Sequence, residues 1–344
     1  TDVMVFHGSV NAPVVDVVEI GKGAGTVIDN LSYGEFSGYL QLPTDDYILE
    51  LRTQDNQDGI IAYSAPLASL GLENNALVAV ASGRVGNSEI YADFGVWVAL
   101  PSGGDLIALP TFTPGNARVQ VIHNSADAAA ETVDVWLNGD LLIDNFMFRT
   151  ASPFVDVPTG VNLNIAIQGP ESTSADNPIW SNDYVLEDGM TYVLVANGIV
   201  SANGYSPATP FDIYVYGMGR EEASVSTNTD ILVFHGSTDA PTVDVVEIGA
   251  GAGTIIDDMA YGDFEGYLEL PTADYSLQVR NAAGTDVVAQ YAAPLSTLAL
   301  DGEALSIVAS GFLDPSMNSN GSAFGLWVAL ASGGDLIELP AEAI

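Results

Sequence analysis

The sequence predicts an all-β chain of three tandem antiparallel β-sandwich domains, immunoglobulin-like or prealbumin-like in type. Three observations lead there. Short runs rich in Val, Ile, Tyr and Phe are separated by clusters of Gly, Pro, Asn and Asp, the punctuation of strands and turns. No stretch long enough for an ordinary helix carries a clean apolar stripe at helical spacing. The opening segment of the chain also returns twice, the mark of a repeated structural unit.

In the first unit the expected strands are Val3–His7, Val14–Ile20, Thr26–Leu31, Gly38–Leu42, Tyr47–Thr53, Ile60–Ser64, Leu77–Ser82 and Phe94–Leu100. Tyr47, Leu49 and Leu51 fall on one face of their strand and Glu50 and Arg52 on the other, as a half-buried strand requires. Ala76–Ser82 and Phe94–Leu100 are nearly unbroken apolar runs, which suits strands covered on both faces. Pro66–Leu72 and Pro294–Leu300 each have room for one short helical turn. A barrel is the less favoured alternative, because the units are short and lack a repeated up-and-down hairpin rhythm.

The segment Thr1–Ser9 returns as Thr229–Ser237, Asp16–Gly21 as Asp244–Gly249, Gly38–Leu40 as Gly266–Leu268, and Trp97–Leu100 as Trp327–Leu330. A diverged middle copy starts at Arg118–Ser125, continues through Val133–Trp136 and ends at Phe211–Tyr216. Boundaries at the Pro/Gly stretch 111–115 and the polar stretch 221–229 divide the chain into repeats at 1–113, 114–225 and 226–344.

Composition narrows the function. Of 344 residues, 45 are Asp or Glu and only 7 Lys or Arg, a net charge of −38. Such a chain repels phosphate backbones and anionic lipid, which argues against nucleic-acid and membrane partners. No apolar run approaches the roughly 18 residues a membrane helix needs. With no Cys, disulfides, thiolate metal sites and Cys nucleophiles are excluded, and 3 His leave little material for a zinc enzyme. Charged residues make up 15% of the chain, against about 25% in ordinary soluble domains, and Lys22 is the single lysine. A surface of Ser, Thr, Asn, Gly, Ala and carboxylate suits a salty extracellular setting or one covered by neighbouring subunits. Thr1 in place of an initiator Met is read as the start of a processed mature chain.

The segment His235–Val245, His-Gly-Ser-Thr-Asp-Ala-Pro-Thr-Val-Asp-Val, resembles the signature of a bacterial secreted family, the domain-of-unknown-function family 4397. A later segment is similar to that family's second pattern at Tyr267–Leu270, Pro271, Tyr275, Leu277, Val279 and Arg280. The first repeat differs by Asn11 where the third has Asp239. The middle repeat keeps His123–Asp127 but lacks the Pro and has two extra residues before Val133–Val135. The resemblance spans almost the whole chain and implies a secreted or cell-surface β-domain array without an assigned activity.

All three histidines occupy this one motif, so the candidate site residues are His7, Ser9 and Asp16, their counterparts His123, Ser125 and Asp134, and His235, Ser237, Asp239 and Asp244. A His facing an Asp is two-thirds of a hydrolytic triad or the start of a metal site. No unit offers a second His, however, and Val-Asp-Val alternation points the Asp away from its apolar neighbours toward solvent. Asp-Ala-Pro is a turn former, so the expected role of the motif is structural hydrogen bonding, and no enzyme is expected.

Four other features suggest chemistry or contacts. Asp55 and Asp58, in Asp55–Gly59, loosely resemble an oxygen-rich calcium loop but lack its spacing, so a hairpin turn is favoured; calcium is the one cofactor the residues suggest. The Gly-rich segments Gly21–Thr26 and Gly249–Thr254 suggest a phosphate loop, yet strand rather than helix follows each, which that chemistry forbids. The variable loops 83–93, 198–210 and 311–323 bring Tyr91, Tyr205 and Met317 as candidate contacts for a glycan or a neighbouring subunit. Trp97, Trp136, Trp180 and Trp327 are expected in cores.

The function expected from these residues is a secreted, acidic structural or adhesive protein, a subunit of an extracellular filament, sheath or cell-surface assembly that self-associates through β-domain contacts. Edge strands at Thr1–Phe6 or Leu336–Leu339 would pair with another chain. A polysaccharide-binding module using the variable loops is the alternative, and a hydrolase the least favoured.

Overall fold

The computed structural model describes residues 1–54, 59–86 and 92–344. Strands dominate throughout, and the only helical segments among the described residues are short 3-10 turns at Ala128–Ala130 and Pro315–Met317. In the first repeat one sheet has the order Phe36–Gln41, Asp2–His7, Ala76–Ser82, Gly95–Ala99, Ile107–Ala108. The other runs Thr111–Phe112, Gly59–Pro66, Asp46–Thr53, Val15–Glu19, Gly25–Leu31. Val3, Leu77 and Val98 from the first sheet meet Val15, Ile28, Leu51 and Tyr63 from the second in one core. These are β-sandwiches rather than barrels. The third repeat repeats the plan with Ile231, Leu305 and Val328 against Val243, Ile256, Val279 and Tyr291.

Among the described residues, each repeat departs from a purely antiparallel sandwich in one pair of its strands. Asp2–His7 runs parallel to Ala76–Ser82, Asn116–His123 to Thr191–Asn197, and Asn228–His235 to Ala304–Ser310. A parallel pair needs a long crossover, and here the intervening strands of the opposite sheet supply it. This overturns the edge expected at Thr1–Phe6: Asp2–His7 is paired on both sides, by Phe36–Gln41 and by Ala76–Ser82. Ile337–Glu338 does lie at the rim of its sheet. At Pro66 and Pro294 the chain makes a single turn, with Leu70 N–H donating to Pro66 O and Leu298 N–H to Pro294 O.

The chain forms two compact units. One contains 1–115 with Pro158–Leu163 and Asp183–Leu186; the other contains 116–157, 164–182 and 187–344. Within the second unit, the middle and third repeats share a core of their own. Ile122, Val193 and Val195 of the middle repeat pack with Leu232, Phe234, Val308 and Ala329 of the third. The middle repeat's sheet even takes in Gly334–Asp335, which pairs with Thr150–Ala151. No described helix is long and apolar enough to cross a membrane.

The tryptophans divide between environments. Trp136 is buried, its indole N–H donating to Ser172 Oγ at 2.8 Å. Trp97, Trp180 and Trp327 are half-buried instead. For Trp97 and Trp327 the reason is strand parity: Val98 and Val328 take the inward positions, so each Trp stands on the outer face.

Candidate functional site

The repeated motif sits where the first strand of each sandwich ends. His7, His123 and His235 are buried, and each places Nε2 within hydrogen-bond reach of a carbonyl oxygen: Pro13 at 3.0 Å, Ala130 at 2.7 Å and Pro241 at 3.0 Å. A carbonyl can only accept, so Nε2 carries the proton and the tautomer is fixed. Burial pushes the His123 imidazole down to about 4, and burial likewise lowers His235. In His123 and His235 the result is a neutral ring that pins the following turn. Ser125 and Ser237 donate their hydroxyls to Gly198 O and Gly311 O, each at 2.7 Å, tying the motif to the start of the variable loop. Ser9 is buried at the equivalent position.

The Val-Asp-Val aspartates do not face solvent, which overturns the outward orientation that alternation predicts. Asp16, Asp134 and Asp244 are 2%, 0% and 5% exposed. Their Oδ1 atoms accept the backbone N–H of Asn30 (2.7 Å), Asn145 (2.9 Å) and Asp258 (2.9 Å) on the neighbouring strand. Each of those residues has a positive φ, between 52° and 55°, and each strand pair shifts register nearby. The aspartate therefore clamps a β-bulge, whose irregular N–H would otherwise lack a partner. Alternation missed this because it counts faces and cannot count an extra residue on the partner strand. Among the described residues no histidine is hydrogen-bonded to an aspartate side chain, so the motif does not assemble the His-Asp pair of a triad.

The Asp of Asp-Ala-Pro does something else. Asp239 accepts backbone N–H hydrogen bonds from Leu313 and Asp314, both at 2.8 Å, and a hydrogen bond from the Asn318 side-chain amide at 3.0 Å. Its middle counterpart Asp127 accepts from Val200 N, Ser201 N and the Tyr205 hydroxyl. Burial opposes charge on Asp127, but bonds from Ala129, Ser201 and Tyr205 outweigh it and hold the carboxyl below its ordinary range. In the first repeat Asn11 exchanges two bonds with Val85. Motif and variable loop thus form one device, a carboxylate or amide fastening a loop to the scaffold.

That device decides the fate of the proposed contact residues. Tyr205 is half-buried, bonded to Asp127 and stacked near Phe312 at 5.6 Å between ring centres. Met317 is exposed on its 3-10 turn. Tyr91, Asp55 and Asp58 lie outside the described residues. Among the described residues no group of three or more His, Cys, Asp or Glu is placed to hold a metal ion.

The Gly-rich segments turn between strands and wrap an anion of the chain's own, a glutamate carboxylate. Glu247 accepts N–H bonds from Gly249 at 2.7 Å, Ala250 at 2.8 Å and Ala252 at 3.1 Å. Burial disfavours its charge, but these donors prevail and lower its titration. Glu19 makes the same set with Gly21, Lys22 and Ala24. The signal in the sequence was Glu two residues before Gly in Glu19-Ile20-Gly21 and Glu247-Ile248-Gly249.

Sequence reasoning also missed the polar groups that join the middle and third repeats. Arg149 lies over the Trp327 ring at 4.0 Å and donates to Ala323 O at 2.9 Å. Arg220 lies over Tyr267 at 4.8 Å and pairs with Asp230 and Glu269. Asn124 bonds Asn197, and Asn197 reaches Gly236 O and the Tyr261 hydroxyl. Gly236 must stay bare, since a Cβ there would come 2.1 Å from the Asn124 amide. The clue was available: the middle repeat has Asn124 and Asn197 where the outer repeats have Gly8/Gly236 and Ser82/Ser310.

The fold and the motif define a tandem β-sandwich repeat protein whose signature residues fasten turns, bulges and loops. The family described as "Domain of unknown function (DUF4397)" matches residues 117–246 and 229–319. The chain belongs to that family. No curated protein matches it.

Proposed function

We propose that this chain is a non-enzymatic structural subunit of an extracellular or cell-surface assembly. One observation carries the reading: the ionisable residues of the repeated motif are engaged with backbone, as Asp16, Asp134 and Asp244 are with bulge N–H groups. A catalytic carboxylate or imidazole needs a free lone pair aimed at substrate, whereas these groups hold the scaffold. A fused pair of sandwiches, a surface almost free of lysine and a charge of −38 add support for a part exposed to a salty medium. The glycan-binding alternative loses one contact, because the Tyr205 hydroxyl is already bonded to Asp127.

Electron microscopy and light scattering of the native material, across salt and calcium, test the reading. Ordered multimers or fibres are expected. Self-repulsion should weaken them at low ionic strength and added salt should restore them. Monodisperse single chains under every condition would sink the proposal.

A further inference from the structure

The third repeat shows what covers the outer face of its first sheet, and the first repeat has the same face without that cover. In the third repeat Leu232, Phe234, Val308 and Ala329 are buried against the middle repeat, with Phe264, Tyr267 and Trp327 packed around them. The counterparts in the first repeat are Met4, Phe6, Val80, Ala99, Phe36, Tyr39 and Trp97. The strand Ala304–Ser310 is buried at nearly every position, while Ala76–Ser82 alternates, its Val78 and Val80 only half-buried. Tyr33, Phe36 and Tyr39 are 57%, 57% and 56% exposed. The unbroken apolar run at Ala76–Ser82, a sequence suited to cover on both faces, thus has one face in the open. Four strands about 4.8 Å apart and roughly 20 Å long give a patch of about 400 Å², within the range of the largest apolar patch on a single chain, which is often functional.

From this we infer that the outer face of the Asp2–His7 sheet is the docking surface for a second copy of this chain, which meets it with the same face about a two-fold axis. The substitutions between the two repeats favour a like partner over an arginine-bearing one. Glu269, which pairs with Arg220 in the third repeat, is replaced by Gln41, and the buried Ser306 by Val78. In a chain of net charge −38, a face that has Gln41 for Glu269 and Val78 for Ser306, and keeps one carboxylate at its edge in Asp2, meets its own copy with less like-charge repulsion than the third repeat's face would, as an isologous contact favours. Phe6 and Phe36 are already stacked at 4.5 Å between ring centres, as Phe234 and Phe264 are at 4.7 Å. Aromatic side chains of this kind form the energetic centres of protein interfaces.

This deepens the assembly reading by naming a partner and a surface, and it can fail separately. Sedimentation of the full chain up to about 100 µM, in salt high enough to screen its charge, should give twice the single-chain mass. Phe36→Asp combined with Tyr39→Asp alters only exposed side chains and should weaken association at least about fiftyfold, with the β-sheet circular dichroism unchanged. Leu141→Asp, at an exposed site on the middle repeat, should leave association intact. Because the chain has no cysteine, a Val80→Cys variant supplies a second measurement: maleimide should label it readily when dilute and slowly when concentrated. Wild-type chains that stay single, or a double variant that still pairs, would overturn the inference. Filaments built equally well by the double variant would overturn it while leaving the assembly reading standing. Dimers without filaments would do the reverse.

Discussion

The first and third repeats have nearly the same interior and opposite exteriors. Val3, Val15, Ile28 and Tyr63 fill one core as Ile231, Val243, Ile256 and Tyr291 fill the other. Yet Phe234 is 1% exposed, against the middle repeat's Tyr214, and Phe6 is only half-buried. The sandwich therefore closes the same way whether or not its outer face is sealed. Folding of the module and use of its surface are separable, and the differences between the copies concentrate where the surroundings differ.

The largest test of that separation is a pair of identical truncations. Phe234→Ala should destabilise the second unit by about 3–5 kcal/mol, because it opens a cavity in the shared core. Phe6→Ala should cost about 1 kcal/mol when measured at concentrations where the chain is single, since the side chain already meets water. Denaturant unfolding of both variants gives the numbers, and equal losses would break the comparison.

A second test uses pH. Burial holds His123 at about 4, below the 6.5 of an unconstrained imidazole. The unfolded chain therefore binds the extra proton first as pH falls, so stability is fully present above about pH 6.5 and is lost as pH drops toward 4. The loss approaches about 3 kcal/mol, from about 2.5 pH units at 1.36 kcal/mol each. His123→Gln, which can still donate to Ala130 O, should flatten unfolding free energy across that window; an unchanged slope would remove His123 from the account.

The smallest effect concerns the loop clamps. Asp239→Ala removes a carboxylate that accepts from Leu313, Asp314 and Asn318, and should cost about 1–2 kcal/mol. Limited proteolysis should then cut within 311–323 sooner. Asn11→Ala removes two bonds at the exposed Val85 and should cost less, about 0.5–1 kcal/mol. A larger loss at Asn11 would mean that its loop depends on the scaffold more than its counterpart does.

Much of this architecture was legible beforehand. The strand expected at Leu77–Ser82 lies at Ala76–Ser82 and that expected at Tyr47–Thr53 at Asp46–Thr53, because side-chain alternation and Gly/Pro punctuation are local signals. Pairing was not legible. Nothing in Thr1–Phe6 says that it lies between two neighbours, since partner choice depends on residues more than seventy positions away. The motif was legible as structural but not in its division of labour. A bulge clamp at Asp16 and a loop clamp at Asp239 use the same side-chain chemistry, and only the backbone around each tells them apart. The arginines at the join of the middle and third repeats were not legible because Arg149 stands where the outer copies have Gly34 and Gly262, and the rings that Arg149 and Arg220 cover, Trp327 and Tyr267, lie in another repeat.

The parallel pairing of Asp2–His7 with Ala76–Ser82 also dictates when each module can become a folded object. During synthesis from the amino end, the opening strand must wait until Ala76 and its successors have emerged before its second neighbour exists. Such late ring closure slows folding and leaves an apolar segment unprotected in the meantime. A first repeat cut short before that strand would have hairpins but no closed sandwich, its opening strand left with one neighbour in place of two.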